Sequence, residues 1–445
     1  MHPDETIRRR AGVRRQATPA LPTETRRSAA LQRSIAVFRL GCLFALGLVA
    51  SAAPAAGAEG DYQTQGVADN LPVFTNQVIK RTRRPLSWSA AAHPDFAVWR
   101  ERARSKVMAC LLAKPPDAPW EAVILEEEDR GTHLARKVVF NLTGDSRVLA
   151  YLTLPKGPGP FPAVLLLHDH GAKFDIGKEK VIRPWGIAPE KRASASDWVN
   201  QNYGGNFLGD ELARRGYVCL ATDALNWSDR GGGGFDGQQK LAGNLLHLGM
   251  SMAGLMAWED LRAAEFLAQQ SMVNPHRIAA MGWSMGGFRA WQLAALSDHI
   301  AAAVAVCWMN TVDHLMVPRN NQTTGSSAYN MVHPGLLDAL DFPDVASIAC
   351  PKPVLFFNGR QDHLFPLAGV VAAYDKLRHV WSSQGADDRL VTKLWDAKHT
   401  FNAAMQEEAF SWLDSAMRSG DLSGIQRKQS PNDPAAAPAP SRKAP

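Results

Sequence analysis

The sequence predicts an α/β fold. It reads as one doubly wound, mostly parallel sheet, with antiparallel strands at its N-terminal side and two long insertions at the carboxyl ends of its strands. Three observations carry this. Short apolar runs alternate with helix-spaced segments from residue 162 to residue 418, the rhythm of repeated βαβ units. Residues 162–171, PAVLLLHDHG, open with an unbroken apolar run, as a strand covered on both faces must. At 277–291, RIAAMGWSMGGFRAW passes from a strand-like run through Gly-Trp-Ser-Met-Gly-Gly straight into helix-like composition.

The elements follow in order. Residues 59–90 show no sustained period and read as irregular. HPDFAVWRERARSKVMACLLA (93–113) has helical spacing of apolar residues. EAVILEEE (121–128), HLARKVVFNL (133–142) and RVLAYLTLP (147–155) alternate apolar with polar and read as antiparallel edge strands. YVCLATDA (217–224) is a strand, residues 241–270 are helical, and RIAAMGW (277–283) is a strand. MGGFRAWQLAAL (285–296) is a helix, followed by the strand IAAAVAVCW (300–308). KPVLFFNG (352–359) and LVTKLWDAKH (390–399) are strands, and AGVVAAYDKLRHVW (368–381) and NAAMQEEAFSWLDSAM (402–417) are helices. The insertions span 172–206 and 310–344. Long loops in a compact domain are usually functional, and such a sheet binds its ligand at the carboxyl ends of its strands. The expected organisation is a leader (1–58), an N-terminal irregular and helical extension (59–118), a catalytic sheet domain (119–418) and a disordered Pro/Ala-rich tail (419–445).

The chain is 46% hydrophobic and 21% charged, enough apolar surface for a large core. Its formal charge of +6 is misleading, because residues 1–58 carry nine Arg against three acidic residues. That leaves the remaining chain neutral, which argues against a nucleic-acid partner. The leader is basic up to Arg39, then apolar, then small, ending Ala-Gly-Ala at 56–58. It reads as a secretory signal, with a retained anchor as the alternative, and predicts a periplasmic or secreted protein with no membrane attachment after cleavage. TRRSAAL leaves Sec and twin-arginine export open, the long basic stretch leaves a downstream start open, and Cys42 is a poor lipidation site because Arg39 precedes it. Cys110, Cys219, Cys307 and Cys350 read as buried thiols, though an exported chain could pair two of them.

Ser284 in Gly-x-Ser-x-Gly is the candidate nucleophile. A strand-to-helix turn this tight lifts the hydroxyl above the sheet and points helix amides at it. A serine needs a base, and the base an orienting acid. His399 follows the last strand and is the candidate base. Asp362 follows the strand before it and is the candidate acid. Asp313, after another strand, is a rival acid, and His363 a rival base. The amides of Met285 and Ala172 are candidate donors to an oxyanion. His168-Asp169-His170 also has the look of a metal pair, but no third ligand stands nearby. His168 and Asp169 read better as braces for the oxyanion turn. No metal and no cofactor are expected.

LLLHDHGAKFDIGKEK, WEDLRAAEFLAQQSMVNPHRIAAMGWSMGG, HPGLLDALDFPDVASIACPKPVLFFNGRQDHLFP and WDAKHTF together resemble the α/β-hydrolase superfamily, in its dienelactone-hydrolase-like and acetyl-xylan-esterase-like bacterial branch, over residues 120–418. The resemblance implies the α/β-hydrolase fold, the order Ser284, Asp362, His399 for the triad, and a secreted serine esterase that cleaves small acyl or carbohydrate esters through an acyl-enzyme. Position 284 is serine where dienelactone hydrolases use cysteine, Met285 stands where one group of acetyl xylan esterases has Gln, and Ala172 stands where a second glycine is expected. The substrate therefore stays open. Trp185, Trp198, Tyr203, Trp227 and Trp308 either stack on substrate or pack the insertions. Lys173, Lys178 and Lys180 read as solvated, or as a mark of an acidic substrate if one faces the pocket, and Arg230 with Gly231–Gly234 as a flexible turn that opens for substrate or is a plain linker. A serine peptidase and a non-catalytic hydrolase-like binding protein are the competing functions, and oligomeric state is not readable.

Overall fold

A nine-stranded mixed sheet organises the protein in a computed structural model that describes residues 66–68, 71–89, 91–318 and 328–418. The expected leader, Cys42, the expected tail and residues 319–327 of the second insertion lie outside the described residues. Strands β1 (Val67–Ala68) and β2 (Leu71–Pro72) form a separate short ladder. The sheet comprises β3 (Val123–Asp129), β4 (His133–Thr143), β5 (Ser146–Pro155), β6 (Phe161–Leu167), β7 (Val218–Ala221), β8 (Val273–Trp283), β9 (Ala302–Val306), β10 (Val354–Gly359) and β11 (Leu390–Trp395). Their spatial order is β11-β10-β9-β8-β6-β7-β5-β4-β3. The pairs from β7 through β11 are parallel, and those joining β3, β4, β5 and β7 are antiparallel. This is the doubly wound, mostly parallel sheet with antiparallel N-terminal strands that the pattern predicts, and the topology of the α/β-hydrolase fold that the resemblance implies.

Alternation along the central strands divides the core. Ala163, Leu165 and Leu167 of β6 face one hydrophobic cluster, while Val164 and Leu166 face the other. That is why the run is apolar without interruption. The helices Phe96–Cys110, Met252–Ala268, Met285–Leu296 and Leu367–Ser383 cover the first face. Pro189–Asn202, Leu208–Arg214 and Ala403–Arg418 cover the second. The connection from β6 to β7 runs over the second face and that from β7 to β8 over the first. The crevice where the winding switches therefore opens at the carboxyl ends of β6 and β8. Trp88, Trp99, Val107 and Leu111 of the N-terminal extension share the first core with the sheet.

Three elements differ from expectation. The helical stretch expected over 241–270 falls on two helices, Gly234–His247 and Met252–Ala268, the first of which begins earlier. Gly249 adopts φ +72° and the Met250 amide donates to the Leu245 carbonyl at 2.9 Å, a helix stop. Ser251 then caps the second helix through the Gly254 amide at 3.0 Å. The insertion at 172–206 contains the 3-10 turn Lys178–Lys180 and the helix Pro189–Asn202, and the irregular segment contains the helix Thr75–Arg81.

Gly254 makes the packing testable. A Cβ there would sit 2.0 Å from the Leu111 carbonyl oxygen. Helix propensity favours Gly254→Ala by about 1 kcal/mol, but backbone cannot yield as a side chain can. The variant should unfold in denaturant with a net loss of about 1–2 kcal/mol; a gain in stability would contradict the close approach.

Candidate active site

Ser284 stands between β8 and the helix Met285–Leu296 with φ 57° and ψ −126°. A serine holds this conformation only when its surroundings enforce it. The Ser284 amide donates to the Val306 carbonyl at 2.8 Å, and its own carbonyl accepts from the Phe288 amide at 3.1 Å. A Cβ on Gly282 would lie 2.3 Å from the Gly286 carbonyl carbon, and one on Gly286 would lie 1.9 Å from the Leu167 carbonyl oxygen. The two glycines let the turn close against the end of β6. The Met285 amide is in the first helical turn, where amides have no partner within the helix.

The acid and base loops meet beside it. A Cβ on Gly359 would lie 2.3 Å from the Ala397 carbonyl oxygen, and the Gln361 amide donates to that same oxygen at 3.0 Å, so the loops after β10 and β11 run in contact. The Leu364 amide fixes Asp362 through Oδ1 at 3.0 Å. His399 Nδ1 and Asp362 Oδ2 are 2.6 Å apart, and His399 Nε2 and Ser284 Oγ are 2.9 Å apart. With Nδ1–H donating to the carboxylate, Nε2 is free to accept from the serine hydroxyl. Phe365 and Trp283 flank the imidazole, with ring centroids 6.0 and 4.9 Å away. Burial pushes the imidazole's pKa down, but the charge and hydrogen bond of Asp362 outweigh it and raise it well above 6.5. The structure thus brings Ser284, His399 and Asp362 together. The rivals lie elsewhere: Asp313 pairs with Arg84 at 2.6 Å, and His363 is exposed.

The oxyanion turn needs correction. Ala172 does not offer a free amide: that amide donates to His170 Nδ1 at 3.1 Å. Left-handed conformations at Gly171 (φ 58°) and Ala172 (φ 54°) fold it back onto the imidazole two residues earlier. His170 Nε2 then donates to Gln238 Oε1 at 2.7 Å. Burial lowers the His170 pKa to about 4, so the ring is neutral and Nδ1 stays an acceptor. His168 donates from Nδ1 to the Asp169 carbonyl and accepts the Ala224 amide at Nε2. Asp169 accepts from Tyr203 Oη at 2.7 Å and Trp198 Nε1 at 3.2 Å. With these partners the ring nitrogens of both histidines are engaged, and the three residues brace the turn instead of presenting a metal pair.

Two lysines read as solvated are buried. Lys180 donates from Nζ to the carbonyls of Asp169 and His170, both at 2.9 Å, and to Asp169 Oδ2 at 3.3 Å. All three of its protons are spent on the turn that follows β6. Lys178 pairs with Asp223 at 2.7 Å, Asp229 at 2.6 Å and Glu179 at 3.0 Å. Lys173 bonds Ser194 at 3.0 Å. Arg230 is likewise pinned, bidentate to Glu259 at 2.6 and 2.8 Å, and the helix starts within its glycine run at Gly234. Tyr203, Trp227 and Trp308 are buried, Trp198 serves Asp169, and Trp185 packs on Tyr151, so these aromatics hold the insertions on the sheet. The four cysteines are free and buried. Asp260 and Arg289, a bidentate pair at 2.7 and 2.9 Å, were not singled out by sequence reasoning; each lies within a motif segment quoted above, but only the fold joins them.

Comparisons agree with this architecture. An Abhydrolase family model matches residues 73–384. A Bacillus subtilis (strain 168) protein classed as a hydrolase, YtaP, is 31% identical over 312 residues, 70% of this chain and 97% of its own. A Bacteroides fragilis NCTC 9343 protein assigned as an acetyl xylan esterase superposes with TM-score 0.59 at 18% identity, covering 72% of this chain and 81% of its own. The glucuronoyl esterase from Solibacter usitatus superposes with TM-score 0.54 at 14% identity, covering 80% and 98%. The last two likenesses concern the fold. This chain belongs to the Abhydrolase family, on the α/β-hydrolase fold that acetyl xylan and glucuronoyl esterases share.

Proposed function

We propose that the protein is a serine esterase that cleaves small acyl or carbohydrate esters through an acyl-enzyme. The observation that carries this is the unbroken hydrogen-bonded line from Ser284 Oγ through the His399 imidazole to Asp362, at 2.9 and 2.6 Å. His399 takes the serine proton as Oγ attacks the ester carbonyl, then returns a proton to the leaving alcohol. A water repeats the sequence to release the acid. Asp362 holds the tautomer and stabilises the imidazolium. The Met285 amide donates to the oxyanion, and a second backbone donor is expected from the 170–172 turn. The ester class is supported by fold likeness to carbohydrate esterases. The basic, apolar and small-residue order of residues 1–58 supports export to the periplasm or beyond. We extend the proposal to a soluble mature protein without a nucleic-acid partner.

Three outcomes follow. Ser284→Ala should lower kcat on p-nitrophenyl acetate and on acetylated xylan by at least about 10⁴-fold with the fold intact; near-normal turnover would remove the serine mechanism. The base is active only when neutral, and its pKa is raised in the folded protein. The kcat/KM profile should therefore climb with pH to a half-point above 6.5. In Asp362→Asn that half-point should fall toward 6.5, with a rate loss of about 10³–10⁴; an unmoved half-point would detach Asp362 from His399. Lys180→Met should reduce kcat by roughly 10²-fold with KM little changed, active sites being counted by titration, because it loosens the oxyanion turn. A change confined to KM would place Lys180 in substrate binding.

A further inference from the structure

Cys307 takes no part in the proposed mechanism, yet it sits against it. It follows β9 in a left-handed conformation, φ 53°, fixed by its amide donating to the Phe357 carbonyl at 2.6 Å. Its thiol reaches the His399 loop, donating to the Thr400 carbonyl at 3.5 Å. Cys307 Sγ, a carboxylate oxygen of Asp362 and a ring nitrogen of His399 all lie within 4.8 Å of one another. Sulfur, imidazole nitrogen and carboxylate oxygen together make a donor set for zinc, whereas magnesium and calcium prefer oxygen alone. Bonds of about 2.0–2.3 Å in a tetrahedron place ligand atoms roughly 3.3–3.8 Å apart, so the site forms when Cys307 Sγ moves inward and the His399–Asp362 pair, 2.6 Å apart, opens by under about 1 Å. The His399 side chain is 20% exposed, which gives an ion a way in and leaves a fourth position for water.

We propose that Cys307, Asp362 and His399 form a binding site for a zinc-class divalent cation that switches the enzyme off. As the dication enters, the thiol proton leaves to solvent and the imidazole proton passes from Nδ1 to Nε2, where it blocks acceptance from Ser284. The ion takes the place of the hydrogen bond between His399 and Asp362, and Ser284 loses its base. The binding stands on the cluster alone; only the loss of turnover rests on the proposed esterase reading.

Two readouts test it on the full chain. In the first, cobalt(II) is titrated in as a spectroscopic zinc substitute. The wild type should develop the near-ultraviolet thiolate-to-cobalt band; Cys307→Ser and Cys307→Ala should not, while Cys350→Ser should keep it. In the second, turnover of p-nitrophenyl acetate is followed in chelator-buffered zinc. The wild type should lose activity and recover it with EDTA, and the two Cys307 variants should need at least about tenfold more free zinc for the same loss. A band absent from the wild type, or retained by both Cys307 variants, overturns the site. Equal zinc sensitivity in all chains overturns the switch. Should the protein turn over no ester at all, the cobalt band still decides the binding, so failure of the esterase reading stays distinct.

Discussion

Ser284 is held at φ 57° and ψ −126°, a conformation that costs an isolated serine about 1–3 kcal/mol. The rest of the site depends on that constraint being met. It is met because the junction of β8 with the helix Met285–Leu296 closes onto the backbone of Leu167, through glycines that have no room for a Cβ. Closure fixes the hydroxyl above the carboxyl end of the sheet and aims the first amides of the helix into the same crevice. The loops after β10 and β11 reach that crevice because parallel strands end on one side. Chain positions separated by 115 residues thus come within one hydrogen bond.

A second layer is electrostatic. The turn after β6 carries His168, Asp169 and His170, all three buried. Burial keeps both imidazoles neutral, lowering each below its ordinary range. The buried ammonium of Lys180 then acts as a tie, gathering two carbonyls and a carboxylate of the turn. Below it, Lys178 gathers Asp223, Glu179 and Asp229. A buried charge left unpaired costs several kcal/mol. The insertion 172–206 is therefore locked to the sheet by charge as well as by Trp198, Tyr203 and Trp227.

The strands and the Ser284, Asp362 and His399 positions were legible because each lies where an apolar run stops at a glycine or a polar turn. Those signals are local. What was not legible depends on partners distant in sequence. A lysine in a loop looks solvated until the fold supplies Asp169 or Asp223. The Ala172 amide looks free until two left-handed residues turn it onto His170. The pairing of Asp260 with Arg289 has no local mark. The break at Gly249 and Ser251 did have one, a stop followed by a cap, but the apolar spacing on either side hid it.

The central claim is that Ser284 is made nucleophilic by His399. Labelling with a fluorophosphonate, followed by peptide mass spectrometry, tests it most directly. The account predicts a stoichiometric adduct on Ser284 in the wild type and a labelling rate that collapses in His399→Ala. An adduct on another residue, or equal labelling rates in the two proteins, would contradict it.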